Sequence, residues 1–294
     1  MPAPERSSAL LSSEFIDQLE RLSLVARRPV RGWAAGQRRS RRAGHSVEFC
    51  DYRAYGAGDD LRYVDWNIFG RTDRLYVKLF IDDEDLCLHV LVDASGSMAW
   101  GEPSKLQWAA QVAGALGFIG LASMERVGLG VLRDSASEGW PPSRGRSRIP
   151  PLLQSLAAIQ GSGTTHLNDA LARYAARSGS AGIVVLFSDL LDPSGYEAGL
   201  HFVRAEDVHD VHLQAFLEQR ALSGDLRLID QETGEARLLR VDAETLRRYG
   251  QRLQTFLADA EGFCARHEIA YYRATTDMPP EQVVLGPLRG RLVA

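Results

Sequence analysis

The stretch LHVLVDASGSM, residues 88–98, decides the fold. With the preceding Leu86-Cys87 it begins as a β run that is largely apolar on both alternating faces, the pattern of a strand buried between two layers. Asp93 stands at the C-terminal end of that strand, and Ser95 and Ser97 lie on the loop just beyond it. In sheets of parallel strands covered by helices, ligands bind at the carboxyl ends of the strands. A carboxylate and two hydroxyls are hard oxygen donors suited to Mg2+, which prefers six oxygens at about 2.0–2.1 Å and tends to keep some water. Alone, a D-x-S-x-S string is weak, because short Ser/Asp turns after strands commonly do no more than cap the next helix.

Outward from this stretch the chain alternates between the two periodicities. LYVKLFI (75–81) reads as a strand that leads, through the acidic turn 82–85, into the first core strand. A helix over 104–123 is followed by a strand at 126–132, helices over 147–160 and 168–177, and a strand at 183–188. A helix over 195–205 then leads to a strand at 209–217. LRLIDQETGEARLLRV (226–241) predicts a hairpin turning at Thr233-Gly234, before a long helix over 243–266 and a last strand at 269–273. Doubly apolar strands alternating with helices predict an α/β domain over 83–294, with a doubly wound, mainly parallel sheet. Residues 106–124 carry no charge and are just long enough to cross a bilayer. Gln107, Gln111 and three glycines lie among them, and strand patterns flank them, so a helix buried against the sheet is expected instead.

Two further features fall where the same sheet edge needs them. GSGTTHLNDAL opens a helix with Thr165, and VVLFSDLLD ends an apolar strand on Asp189. DASGSM, GTTHL and FSD together resemble the metal-ion-dependent adhesion site of von Willebrand factor type A domains, a Rossmann-like fold. That resemblance implies five ligand positions at Asp93, Ser95, Ser97, Thr165 and Asp189, some direct and some through water, holding Mg2+ or another divalent cation such as Mn2+. Thr164 is adjacent, but the distance to Ala170-Leu171 on the following helix favours Thr165.

The region 1–82 is small and irregular in pattern. A helical stripe at Leu11, Phe15, Leu19 and Leu22, with Ser12 or Ser13 as cap, precedes an arginine-dense segment at 27–42. Then EFCDYRAYGAGDDLRYVDWNIFGRTDRLYVKLF (48–80) interleaves Glu48, Asp51, Asp59, Asp60 and Asp65 with Arg53, Arg62, Arg71 and Arg74. This string resembles the signature of the bacterial domain-of-unknown-function 58 family, in which it precedes a von Willebrand type A domain. Such proteins are typically associated with MoxR-type AAA+ ATPases, so the resemblance implies a protein partner and no small-molecule substrate. For the signature itself two readings stand: a salt-bridged, aromatic-packed minidomain, or a docking surface for the ATPase.

Composition narrows the classes. Across 294 residues, 45% hydrophobic and 24% charged is the make-up of a soluble globule, and 34 basic against 38 acidic side chains excludes a global field steering the chain to nucleic acid or an anionic membrane. Cys50, Cys87 and Cys264 are far apart with no C-x-x-C pair, which points to reduced thiols in the cytoplasm and away from structural zinc. MPAPERSSALLSSEF has no apolar core after a basic start, so no signal peptide or anchor is expected.

A metal-dependent hydrolase is the first rival reading. DASGSM is not the D-x-D of aspartyl phosphatases, GSGTTHL lacks the P-loop lysine, and no G-x-S-x-G elbow is present. His166 is the one histidine placed to act as a base. His209 and His212, three apart on a strand, make a poor chelate. Nucleic-acid binding through Arg27, Arg28, Arg31, Arg38, Arg39, Arg41 and Arg42 is the second rival, with no recognised motif beside it. The expectation is a non-catalytic interaction protein whose bound cation accepts an aspartate or glutamate from a partner.

Overall fold

The structure is a computed structural model describing residues 10–24, 48–56, 59, 61–81, 86–134, 136–178, 182–203, 207–214, 224–290 and 292–293. It divides into two compact units, residues 31–85 and residues 1–30 with 86–294. The arginine-dense segment 27–42 lies outside the described residues.

In chain order the elements are α1 (Ser13–Leu19), β1 (Glu48–Ala54), α2 (Trp66–Thr72), β2 (Tyr76–Ile81), β3 (Cys87–Asp93), α3 (Lys105–Ala122), β4 (Arg126–Arg133) and β5 (Ala136–Arg144). They continue with α4 (Ile149–Ala157), α5 (Leu167–Ser178), β6 (Ile183–Ser188), α6 (Glu197–Val203), β7 (Asp207–Gln214), β8 (Gly224–Ile229), β9 (Ala236–Val241), α7 (Ala243–Arg266), β10 (Ala270–Thr275) and α8 (Pro280–Leu285).

The larger unit is built on a six-stranded sheet in the order β10-β7-β6-β3-β4-β5. All pairs are parallel except β4 with β5. Alternation of side chains along a strand sends successive residues to opposite faces, and here each face has its own core. Val90, Val92, Val185 and Phe187 pack with Trp108 and Leu116 of α3, Leu152 and Leu156 of α4, and Val283 and Val284 of α8. Leu91, Val184 and Leu186 pack with Leu171 and Tyr174 of α5, Leu200 of α6, and Phe263 of α7. Full burial of each such aliphatic or aromatic side chain contributes about 1.5–3 kcal/mol.

The uncharged segment 106–124 is α3 and its end, buried against the sheet over nearly all its length. Among the described residues no helix is long and apolar enough to cross a membrane. A capping box sets where α3 begins. Ser104 Oγ accepts the Gln107 N–H at 3.1 Å, and Gln107 Oε1 accepts the Ser104 N–H at 3.3 Å. Ser104→Ala is expected to lower stability by about 1 kcal/mol and Ser104→Thr by much less, as read by urea unfolding.

Two expectations about the front of the chain need correction. The division placed at residue 82 leaves α1 with the N-terminal region, whereas Leu11, Phe15 and Leu19 are buried in the core of the sheet unit. A seven-residue helix of about two turns cannot bury an apolar stripe alone, and the sheet unit supplies the surface that covers it. Ser12 is its cap, accepting the Phe15 N–H at 3.2 Å. Strand β2 does not lead into the large sheet; it pairs antiparallel with β1 in a separate two-stranded sheet.

In the smaller unit, Asp65 organises the chain. Its Oδ1 accepts the N–H groups of Asn67 (2.9 Å) and Ile68 (3.2 Å) at the start of α2, and its Oδ2 accepts the Tyr52 hydroxyl at 3.0 Å. Arg53 pairs with Asp59 at 2.8 Å, and the Arg53 hydrogen bond holds the Asp59 carboxyl below the usual range.

Candidate metal centre

Strand order reverses direction at β3. The chain passes from β3 outward to β4 and β5, then returns across the sheet to β6 on the other flank of β3. This leaves a crevice at the carboxyl ends of β3 and β6, the switch point at which open α/β sheets bind ligands. Asp93 ends β3, and Asp189 directly follows Ser188, the last residue of β6.

Three loops converge there because their backbones can approach closely. The Gly96 N–H donates to the Gly163 carbonyl at 2.8 Å, and the Ser162 N–H to the Ala94 carbonyl at 3.0 Å. A Cβ at Gly161 would sit 2.8 Å from the Ser95 carbonyl oxygen, so any larger residue forces the loops apart. The third loop is tied to the second by Asp192, whose Oδ2 accepts the Leu167 N–H at 2.5 Å at the start of α5. Asn168 Oδ1 accepts the Gly199 N–H at 2.6 Å in the same seam.

The side chains named from the sequence meet in this crevice. Asp93 Oδ1 accepts the Ser95 N–H at 3.0 Å and the Thr165 hydroxyl at 2.9 Å. Thr165, not Thr164, therefore reaches Asp93. Ser95 Oγ and Ser97 Oγ are 3.0 Å apart. Asp93, Ser95, Thr165 and Asp189 are buried, and Ser97 is half-buried at the rim. His166 is exposed and joins this arrangement only through its backbone N–H, which donates to the Asp134 carbonyl at 2.8 Å. His209 and His212 both lie on β7.

Three participants escaped the sequence reading. Ser188 donates from Oγ to Asp93 Oδ2 at 2.7 Å and accepts the Leu190 N–H at 2.9 Å. Its position at the strand end beside Asp189 was a usable signal. Lys105, the first residue of α3, is buried and forms an ion pair with Asp189 Oδ2. Glu232 lies in the turn between β8 and β9, next to Gln231, whose carbonyl oxygen closely approaches Gly96. Neither of these last two is visible from spacing.

Electrostatically the crevice is short of cations. Burial pushes the Asp93 carboxyl above the usual carboxylate range and the charge of Asp189 adds to the rise, while hydrogen bonds from Ser188, Ser95 and Thr165 oppose it. Glu232 is also pushed up, by burial first and then by Asp189, Asp93 and Asp230, against the opposing effect of Ser97. Among the described residues, Asp93, Asp189 and Glu232, counted as ionised, outnumber the Lys105 ammonium that pairs with Asp189 by two charges. The donors suit a hard divalent ion. Each ionised carboxylate has about four lone-pair sites, so the three hydrogen bonds to Asp93 leave room for a cation. Thr165 turns its proton toward Asp93, and its oxygen lone pairs stay available. No group of three His, Cys, Asp or Glu side chains is arranged to hold a metal among the described residues. That excludes a zinc-type cage there but not a centre made of two carboxylates and three hydroxyls.

The uncharacterized protein Rv1480 of Mycobacterium tuberculosis is 28% identical over 237 residues, covering 76% of this chain and 73% of its own length. Its Mycobacterium bovis counterpart matches at the same 28%. Among solved structures, the conserved hypothetical protein BatB from Bacteroides thetaiotaomicron aligns at 13% identity and TM-score 0.40, over 68% of this chain and 95% of that one. An aerotolerance-related membrane protein from Bacteroides fragilis aligns at 17% and TM-score 0.42, over 68% and 96%. Residues 51–255 match the family described as "Protein of unknown function DUF58", and the chain belongs to that family.

Proposed function

We propose that this chain is a non-catalytic, metal-dependent protein-interaction module of the von Willebrand type A kind. Asp93, Ser95, Ser97, Thr165 and Asp189 would hold Mg2+ or Mn2+, and the cation, when bound, supplies a positive point that an aspartate or glutamate of a partner can meet. The observation that carries the reading is the convergence of these five side chains, from three loops, in a crevice with excess negative charge. The chain's own contribution is orientation: Ser188 and the Ser95 N–H hold the Asp93 carboxylate, and Lys105 holds Asp189. By resemblance, the partner is a co-encoded MoxR-type AAA+ ATPase or a client delivered with it, and the setting is the cytoplasm.

Asp93→Asn is expected to weaken Mn2+ binding at least roughly 100-fold by calorimetry, because loss of even an orienting group around a metal costs 10–100-fold. Capture of the ATPase should need Mg2+, fail in chelator, and fail with Asp93→Ala or with Ser95→Ala combined with Ser97→Ala. Capture that is equal in every one of these conditions removes the cation from the function. Metal-dependent turnover of a phosphate ester, lost with the same changes, would replace this reading with a hydrolase.

A further inference from the structure

The outward face of the crevice already has a visitor from the same chain. Strands β8 and β9 form a two-stranded antiparallel sheet of their own, and Leu228, Ile229, Leu238 and Leu239 are exposed on it. An isolated hairpin is at best marginally stable in water, so the contacts at its tip weigh heavily in where it rests.

The tip is a built turn. Asp230 Oδ1 accepts the N–H groups of Glu232 at 2.8 Å and Thr233 at 2.9 Å, and the Asp230 N–H donates to the Glu235 carbonyl at 2.9 Å. This turn is brought against the candidate centre. The Gln231 carbonyl oxygen approaches Gly96 so closely that a Cβ there would lie 2.4 Å from it. Glu232, the next residue, is half-buried, and Ser97, Asp189 and Asp93 all act on its carboxyl. A backbone approach that only glycine permits puts this turn against the loop that carries Ser95 and Ser97, and Glu232 stands in that turn.

A carboxylate is the ligand class that the proposed function assigns to the partner. We propose that the β8–β9 hairpin is the site's internal cover: Glu232 holds, from within the chain, the place at Ser97 that a partner's carboxylate takes, and the hairpin lifts for the partner to engage. This inference rests on the metal-dependent reading above. Its energetics follow from like charges. Without a cation, the charges of Asp189 and Asp93 act against an ionised Glu232; a bound divalent ion would offset both and relieve that repulsion. Cation binding therefore draws the hairpin down, and a partner competes with it. Apart from Val241, buried at the end of β9, the apolar side chains of the two strands contribute little burial, so closing rests mainly on the tip.

The test uses the full chain with Mn2+ alone as probe, reading water-proton relaxation of the bound ion and amide hydrogen exchange over residues 226–241. Mn2+ is expected to slow exchange in the hairpin of the unaltered chain by about tenfold or more, the equivalent of one charge-assisted hydrogen bond. Glu232→Ala should abolish that slowing and raise the relaxation enhancement, because water reaches the ion more freely. Glu235→Gln, in the same turn but paired with Arg237, should behave as the unaltered chain does. If Mn2+ binds in an Asp93-dependent way while hairpin exchange ignores it and Glu232→Ala changes neither signal, the internal cover is refuted and the metal centre stands. If the unaltered chain binds no Mn2+, or Asp93→Asn binds it equally well, the metal reading falls and this inference with it.

Discussion

Lys105→Met is expected to destabilise the chain by about 3–5 kcal/mol in chelator, the usual cost of removing one member of a buried ion pair. The reason lies in what is left behind. Lys105 and Asp189 are both buried, and Asp189 stands close enough to Asp93 for its charge to raise that carboxyl. Without the ammonium, the buried carboxylates of Asp93 and Asp189 lose the cation that pairs with Asp189. The loss should shrink when Mg2+ is added, since an Asp189 freed of its ammonium binds the cation more tightly and gains more stability from it than the unaltered chain does. It should also shrink in Lys105→Met combined with Asp189→Asn, which removes the stranded charge. Urea unfolding of the four proteins of this cycle, each with and without Mg2+, measures both effects. A single-mutant loss below about 1 kcal/mol would mean that the pair is worth no more than a surface salt bridge.

Phe187→Ala should cost a similar amount, about 3–5 kcal/mol, by creating a cavity in a packed core. Phe187 is fully buried, and it immediately precedes Ser188, whose hydroxyl holds Asp93. Its neighbour Leu186 is buried in the core of the opposite face, so neither side of β6 offers slack to refill the space. The comparison is Leu228→Ala on the hairpin, where the side chain is exposed and the change should stay within about 0.5 kcal/mol of zero. Equal effects at the two positions, in the same denaturant series, would contradict the burial argument. Because the candidate centre sits at the end of β6, Phe187→Ala should also weaken Mn2+ binding, whereas Leu228→Ala should not.

Much of this architecture was legible in local patterns, and the failures have physical causes. Strand β5 was missed because Gly139, Pro141 and Pro142 make residues 136–144 read as a loop. Proline is tolerated in a strand chiefly at a sheet edge, and β5 is the antiparallel edge of the sheet beyond β4. Edge pairing is a property of the assembled sheet that no single window of sequence displays. The apolar stripe of α1 was read correctly, but not its allegiance: a stripe reports that a face must be covered, not which surface covers it.

The candidate centre divides along the same line. Asp93, Ser95, Ser97, Thr165 and Asp189 could be named because the resemblance of DASGSM, GTTHL and FSD to a metal-ion-dependent adhesion site implies them, and the fold brings these strand ends and loops together. Lys105 looked like the polar edge of an uncharged helix, and its pairing with a residue 84 positions away exists only once α3 lies over the sheet. Glu232 looked like one more polar residue in a turn, and only the docking of that turn on Gly96 and Ser97 gives it a place. Periodicity and turn chemistry act over a few residues, so sequence alone determined most of the elements and, through the resemblance, which five side chains to look for. Charge balance and closure act through space, so the tertiary structure alone decided which ammonium and which further carboxylate share the crevice.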